Sequence, residues 1–402
     1  MKIDPAIAVV GTFDSKADEH TFLKERIVQR GLRALTVNVG TKAASPVPVN
    51  LDLFGSIAKD GNSAAEGRDR AINAMLRAAK SHIKRLYENG EICGIISAGG
   101  GTGTHICTTI MRELPLGVPK VMVSTVASRN MADIVSTKDI TMIHSVADLL
   151  GVNSISGNIL DKAAAAICAM IQSRWQPAQE KNRIALPFFG FITAGAEATR
   201  SALETLGYEV IAFHANGTGG MAMEELAAEG YFCGILDLAT HELADHLLNG
   251  YCGAIGPQRY EPVPGRSIPR LVVPGGLDCA VLEFTRLNIP ERYKHRKIFF
   301  YDFRSAIRLN IEETICLANQ LAEKLNRDAA NVKVLIPVRG WSEADRKGAP
   351  LYDPEMNSVL IGRLKEALDP QIEIREVDRH INDGAFAKIA ATLMDKMIKK
   401  YK

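Results

Sequence analysis

Short apolar, β-branched runs alternate with stretches of helical periodicity along nearly the whole chain. In the first half the runs are AIAVVG (6–11), RALTVNVG (33–40), ICGIIS (92–97), KVMVST (120–125) and ITMIH (140–144). Helical stretches lie near 17–30, 66–88, 104–114 and 158–175. A polar, proline-bearing segment, SRWQPAQEKNR (173–183), ends this alternation, and the pattern then restarts. The second half predicts strands at RIALPFF (183–189), YEVIAFH (208–214), CGILDL (233–238), RLVVPG (270–275), KIFFY (297–301) and VKVLIPV (332–338). Its helices are predicted near 194–206, 219–229, 240–249, 311–326, 357–368 and 384–399. Apolar strands that are each followed by a helix belong to parallel sheets covered on both faces. The pattern therefore predicts an α/β protein of two parallel-sheet domains, residues 1–178 and 179–402. A length of 402 residues suits two cores better than one.

The two halves also read as rough copies of each other. Residues 7–40 lay against residues 184–217: strand, loop, helix, a glycine (Gly31, Gly207), a second strand, then a glycine-bearing loop. Whether this is an internal duplication or only two ordinary βαβ units, it implies two Rossmann-like domains facing a shared cleft. Ligands are then expected beyond the carboxyl ends of the strands. The segment 41–65, TKAASPVPVNLDLFGSIAKDGNSAA, lacks periodicity, and a loop of this length predicts a lid near the first strand ends.

Charge adds little. With 48 basic and 46 acidic residues the formal net charge is +2, spread along the chain, so neither nucleic acid nor an anionic membrane has electrostatic support. The basic tail KMIKKYK (396–402) reads as a solvated last helical turn. Seven cysteines show neither a C-x-x-C pair nor zinc spacing, which suits reduced, buried thiols. The amino terminus MKIDPAIAVVG places an aspartate and a proline before its only short apolar run, and does not read as a signal peptide. The longest nearly apolar stretch, ALPFFGFITAGA (185–196), is too short to span a bilayer. A cytoplasmic protein is the expectation.

Candidate chemistry sits in the loops after the strands. SAGGGTGT (97–104) joins a strand to a helix through Gly99, Gly100, Gly101, Thr102, Gly103 and Thr104. Glycines let successive amides approach an anion and adopt positive φ, and the following helix adds its dipole. The lysine of a Walker loop is missing, so the reading is a phosphate cradle of amides and threonine hydroxyls. VGTFDSK (10–16) offers Thr12 and Ser15 as hydroxyl donors, Asp14 for Mg²⁺ or a ribose hydroxyl, and Lys16 for a phosphate; a helix start capped by Asp14 or Ser15 is compatible with this. STVAS (124–128) adds Ser124 and Thr125.

In the second half HANGTGG (214–220) repeats the theme with His214, Gly217, Thr218, Gly219 and Gly220, a second anion site for a substrate carboxylate or phosphate. The helix after it is expected to turn Met223, Leu226 and Ala227 inward and Glu224, Glu225 and Glu229 outward. PGGLD (274–278) supplies Asp278, and PVRGWSEAD (337–345) supplies Arg339 as an anion clamp. In LDLATHELADH (236–246), His241 and Asp245 share a helix face at i, i+4, while His246 lies about 140° away. This is not H-E-x-x-H and does not by itself read as a zinc site; Asp237 and Glu242 are kept as candidate site carboxylates. No nucleophile–base–acid order stands out.

The glycine–threonine run resembles the nucleotide loop of tubulin and its bacterial relatives, without a counterpart of the acidic loop that completes their active site. Taken together, VGTFDSKADE, SAGGGTGT, STVAS, FHANGTGGMAMEEL, PGGLD and HINDGAFA (380–387) resemble the Tm-1-like ATP-binding family over essentially the whole chain. The resemblance implies two Rossmann-like subdomains, ATP binding and a homodimer, and bears on Thr12, Asp14, Lys16, Gly99–Thr104, Gly217–Gly220, Asp278 and Arg308. Plant members carry a further C-terminal barrel domain. Two departures fall in the second domain: PGGLDCAVLEF lacks the asparagine and glycine usual after the aspartate, and Tyr301–Asp302 stand where relatives have His–Asn. The expectation is ATP on the first glycine loop with Mg²⁺ near Asp14, and a small anionic metabolite on Thr218–Gly220, clamped by Arg308 or Arg339. A nucleotide-regulated interaction protein without turnover, and a sugar-acid phosphate enzyme using no nucleotide, are the alternatives.

Overall fold

Residues 4–58, 67–173, 175–176 and 178–401 are described by the structure, a computed structural model. Of the sequence expectations, residues 1–3 of the amino terminus, residues 59–65 of the expected lid, residue 66 of the helix expected near 66–88, residues 174 and 177 of the linker and residue 402 of the tail lie outside the described residues.

Two units divide the chain, Met1–Gln176 and Pro177–Lys402. The first contains β1 (Ala6–Gly11), α1 (Phe13–Gln29), β2 (Ala34–Asn38), β3 (Leu51–Asp52), α2 (Phe54–Ala58), α3 (Arg68–Glu88) and β4 (Ile92–Gly99). It continues with α4 (Gly101–Met111), β5 (Lys120–Ser124), α5 (Ala132–Val135), β6 (Thr141–His144) and α6 (Ser154–Gln172). The strands form a six-stranded parallel sheet in the order β3-β2-β1-β4-β5-β6. Strand alternation sends Ile7 and Val9 of β1 to one face, where Leu23 and Ile27 of α1 and Leu160 and Ala164 of α6 cover them. Ala8 and Val10 face the other way, onto Met75 and Ile83 of α3 and Ile106 and Ile110 of α4. The order reverses direction between β1 and β4, so their carboxyl ends border the crevice where such sheets bind ligands.

Among the described residues α6 alone is long and apolar enough to cross a membrane, with 19 residues and a mean hydropathy of 1.2. Its Leu160, Ala163, Ala164 and Ile167 are fully buried against the sheet, and Asn153 closes its start with a capping box, so it packs as a core helix.

The second unit contains β7 (Arg183–Phe188), α7 (Thr193–Thr205), β8 (Glu209–His214), α8 (Thr218–Ala228), β9 (Gly234–Ala239), α9 (Glu242–Leu248), β10 (Arg270–Gly275) and β11 (Cys279–Leu282). Then come β12 (Ile298–Phe300), β13 (Ser305–Arg308), α10 (Ile311–Asn326), β14 (Val332–Pro337), α11 (Pro354–Ala367), β15 (Glu373–Val377) and α12 (Gly384–Lys400). A second six-stranded parallel sheet runs β15-β14-β10-β9-β7-β8, and β11-β13-β12 form a small antiparallel sheet. The predicted strand at 297–301 therefore belongs to this small sheet, and β11, β13 and β15 were not legible as strands.

Apart from the two-residue β3, the first sheet reads β2-β1-β4-β5-β6 and the second β8-β7-β9-β10-β14, with β15 added at the edge. Both units thus wind the same way. Gly31 and Gly207 sit at the ends of the matching helices α1 and α7 with φ of 81° and 93°, the left-handed position that stops a helix. Matched by topology, the counterpart of the β4–α4 glycine loop is the β9–α9 turn, and HANGTGG matches the loop after β2.

Candidate functional site

At the crevice of the first unit the end of β1, the start of α1, the loop after β2 and the start of α4 enclose an open cavity of 430 Å³. Thr12, Asp14, Lys16, Gly100, Gly101, Thr102 and Gly103 line it, together with Ser15, Thr41, Lys42, Arg68 and Ile106. No side chain caps α4, whose first intrahelical bond runs from the Thr104 N–H to the Gly100 oxygen at 2.8 Å. The amides of Gly101, Thr102 and Gly103 therefore lack an intrahelical acceptor.

None of Gly99, Gly100, Gly101 and Gly103 has positive φ, so the expectation of left-handed glycines is corrected. Their reason is room. Among the described residues a Cβ on Gly101 would meet nothing within 4 Å, and one on Gly100 only the Thr125 hydroxyl at 3.7 Å. Gly99 differs: a Cβ there would press on the Gly103 backbone at 3.1 and 3.2 Å, so this glycine lets strand and helix approach.

Thr104 and Ser124 are not on the wall. Both are buried, and their hydroxyls are 2.7 Å apart in a mutual hydrogen bond behind the loop. Thr125 donates its N–H to the Gly99 oxygen and tethers the loop from outside the lining. The α1 start also departs from expectation: Thr12 holds the cap position without a side-chain cap bond, and neither Asp14 nor Ser15 caps the helix. Asp14 Oδ2 instead accepts the Lys42 N–H at 2.9 Å. The helix is broken at Lys16 (φ −135°, ψ 38°), whose ammonium donates to the Leu149 carbonyl.

His20 fixes this turn. Its Nδ1 bonds the Lys16 oxygen at 2.7 Å, and its Nε2 faces the Ala98 N–H at 3.4 Å, so Nδ1 carries the proton and Nε2 accepts. Complete burial lowers its pKa to about 4 and keeps the ring neutral. Any side chain on Gly11 would overlap this ring. The wall's cations are Lys16, Lys42 and Arg68, the last donating to the Thr102 hydroxyl at 2.8 Å. Lys42 and Arg68 come from a loop and a helix start with no motif around them, and the sequence reading missed them. Asp14 is the one carboxylate among the described lining residues.

The second unit treats its glycine loop differently. The Gly217 N–H donates to Glu242 Oε1 at 2.7 Å, and a Cβ on Gly220 would stand 2.5 Å from Glu242 Oε2. Gly217 has φ 91°, and the Gly219 N–H and Thr218 hydroxyl both turn to Asn216 Oδ1. The anion at this loop is the protein's own buried Glu242, bound in turn to Arg259 Nε at 2.8 Å. Arg259 also pairs with Asp237 and Glu224, and Arg270 joins the same two acids. Glu224, expected on the outer face of α8, is thus buried. Burial opposes its ionisation, but Arg270 and Arg259 outweigh it and hold the pKa below the usual range. His214 is exposed at the end of β8, its Nδ1 3.4 Å from the Phe188 oxygen.

Asp278 and Arg308 do come together. Asp278 is buried, accepts the Ser342 hydroxyl at 2.8 Å through Oδ2 and leaves Oδ1 without a hydrogen-bond partner among the described residues. Arg308 pairs with Asp345 at 3.1 Å and donates to Asn357, while its Nε has no partner among the described residues. Burial raises both carboxyls, Asp345 to about 7 with the Asp278 charge adding to the effect. Arg339 lies elsewhere, exposed and paired with Asp378 at 2.5 Å.

The family model for the N-terminal domain of the uncharacterised protein family UPF0261 matches residues 5–176, and that for its C-terminal domain matches residues 181–398. The chain belongs to the UPF0261 family. A UPF0261 protein of Clostridium tetani is 37% identical over 98% of this chain and 99% of its own length. The tomato protein ToMV resistance protein Tm-1(GCR237) is 30% identical over 95% of this chain, which spans 54% of the tomato protein. Among solved structures, a UDP-N-acetylglucosamine 2-epimerase from Rickettsia bellii aligns over 99% of this chain and 96% of its own at 9% identity and a TM-score of 0.23. A score that low says nothing further about this chain.

Proposed function

We propose that the first unit binds ATP as its magnesium complex in the β1/β4 crevice. One observation carries the reading: an open 430 Å³ cavity in which the uncapped start of α4 meets Lys16, Lys42 and Arg68, with no atom of the described residues within 4 Å of a Cβ placed on Gly101. Amides at a helix start and flanking cations suit a polyphosphate, and the lone wall carboxylate, Asp14, suits its metal. The wall offers no histidine or cysteine as acid or base among the described residues, so binding is the function it is best equipped for.

The second reading, turnover of a small anionic metabolite, is favoured by the Asp278–Ser342–Arg308–Asp345 cluster, where a buried carboxylate oxygen and a guanidinium Nε stand without partners among the described residues. Calorimetric titration with ATP, GTP, ADP and a sugar phosphate, with and without Mg²⁺, tests the first reading. ATP with Mg²⁺ should bind, and Arg68→Ala should weaken it about tenfold, the effect of one lost charge-assisted contact. Absence of heat and of a thermal shift with every nucleotide would refute nucleotide binding; heat with the sugar phosphate alone would move the ligand class. Steady phosphate release that depends on an added metabolite, and that Asp278→Asn abolishes, would mark an enzyme.

A further inference from the structure

The β9–α9 turn, topological counterpart of the glycine loop, carries side chains the nucleotide reading does not use. His241 is fully buried and stacked on Phe189, with ring centroids 3.9 Å apart and planes 14° from parallel. Among the described residues neither of its ring nitrogens has a hydrogen-bond partner. One turn along, Asp245 is also fully buried, and Cys252 follows in the loop after α9. One donor atom from each of His241, Asp245 and Cys252 lies within 4.8 Å of the other two.

We propose that His241, Asp245 and Cys252 are three ligands of a buried divalent transition-metal site of the zinc type, set at the switch point of the second sheet. Imidazole nitrogen, carboxylate oxygen and thiolate sulfur together are a donor set that zinc accepts. Zn–N, Zn–O and Zn–S bonds place donors about 3.3–3.8 Å apart around a tetrahedral centre, so side-chain rotations of about 1 Å complete the geometry. The charge balances: one aspartate and one thiolate around a dication make a neutral centre, and the thiol proton leaves to solvent as the metal enters.

All three donor side chains are buried within the second unit. His241 is a buried imidazole without a hydrogen-bond partner among the described residues. Asp245 and Cys252 are buried beside it. Asp245 already accepts the Cys252 N–H and the Val281 N–H at 2.8 Å each. A carboxylate has lone pairs beyond these two, and such amide bonds orient a ligating carboxylate rather than block it. The first of those bonds ties the ligands' own loop to α9, and the second ties α9 to β11, so a metal here would staple the small antiparallel sheet to the end of β9. The sequence carries only H-x₃-D as a local signal; Cys252 joins it because the chain turns back after α9 at Asn249, which has a left-handed φ of 52°.

The test uses the whole chain, stripped of metal by a chelator and titrated with Co²⁺ and then Zn²⁺. One Co²⁺ per chain is expected, with a thiolate-to-cobalt charge-transfer band that Zn²⁺ abolishes. The band should vanish in Cys252→Ser and persist in Cys279→Ser. X-ray absorption on the loaded wild-type chain, which needs no variant, should find one sulfur among nitrogen and oxygen neighbours. No stoichiometric binding would overturn the site. A band that follows Cys279, or a shell with no sulfur or two, would overturn the ligand set. The outcome does not depend on whether ATP binds.

Discussion

Substituting Gly101 by valine separates a loop shaped for a ligand from one shaped for packing. Gly101 is the first residue of α4, its φ is not left-handed, and nothing within 4 Å would meet a Cβ. The protein alone should tolerate valine. Lower chain entropy in the unfolded state favours the variant by about 0.4–1 kcal/mol, and the poorer helix propensity of a β-branched residue offsets part of that. Net stability should therefore stay within about 0.5 kcal/mol of wild type.

Bound phosphate would lose much more. The isopropyl group stands in the cavity over the amides of Gly101 and Thr102, and each hydrogen bond to a charged group is worth about 1.5–3 kcal/mol. Losing two costs roughly 3–6 kcal/mol, a drop of about 10²–10⁴-fold in affinity for ATP. Gly99→Ala should behave in the opposite sense. Its Cβ would lie 3.1 Å from Gly103 Cα and 3.2 Å from Gly103 C, backbone atoms that cannot swing aside. Overpacking of that kind costs about 1–3 kcal/mol of stability. Urea unfolding and calorimetric titration on the same preparations read both quantities. Wild-type affinity in Gly101→Val, or equal destabilisation by the two variants, would refute the assignment of the loop to a ligand.

Two further outcomes rest on buried charge. Because burial lowers His20 to about 4, the unfolded chain takes up a proton below about pH 6.5 that the folded chain refuses. The stabilisation is complete above that pH and is lost as pH falls toward 4; between pH 7.5 and 5 the loss is roughly 2 kcal/mol, and His20→Gln should remove that part of the pH dependence. An imidazole resonance of His20 that titrates near pH 6.5 would contradict this. Arg259 serves Glu224, Asp237 and Glu242 at once, so Arg259→Met should cost about 3–5 kcal/mol in denaturant unfolding. Glu242→Gln, which keeps an acceptor for the Gly217 N–H, should cost clearly less; equal losses would mean that packing rather than charge holds the cluster.

The elements legible in the sequence are those whose environment is uniform. β1, β4, β9 and β10 lie inside their sheets and read as apolar runs because both faces are covered. β15, EIREV, is an edge strand with one buried residue, and its alternating charges carry no strand signal. The glycine loop was visible because its residues are contiguous. Arg68 and Lys42, equally part of the wall, lie 33 and 59 residues before Gly101 and reach it only through the fold, with local sequence that says nothing of it. Glu224 was misread for a related reason: a helical wheel turns a glutamate outward unless a counter-ion waits inside, and Arg259 and Arg270 lie 35 and 46 residues along the chain.

The two units follow one winding and bring glycine-rich turns to the ends of their strands, yet the turns are in opposite electrostatic states. In the first, the amides at the start of α4 and three cations border open space. In the second, the Gly217 amide already holds Glu242, and that carboxylate is neutralised by Arg259 within the core. A glycine run therefore marks an anion site only in the sense that an anion belongs there; the atoms a Cβ would meet decide whether the protein supplies it. Beside Gly220 that atom is a carboxylate oxygen at 2.5 Å, and beside Gly101 there is none within 4 Å. Among the described residues no carboxylate accepts from the amides at the start of α4, since Asp14 turns to the Lys42 N–H, and under the proposed reading a nucleotide's phosphates would supply that charge, which makes this glycine loop, and not the second, the place to look for a ligand.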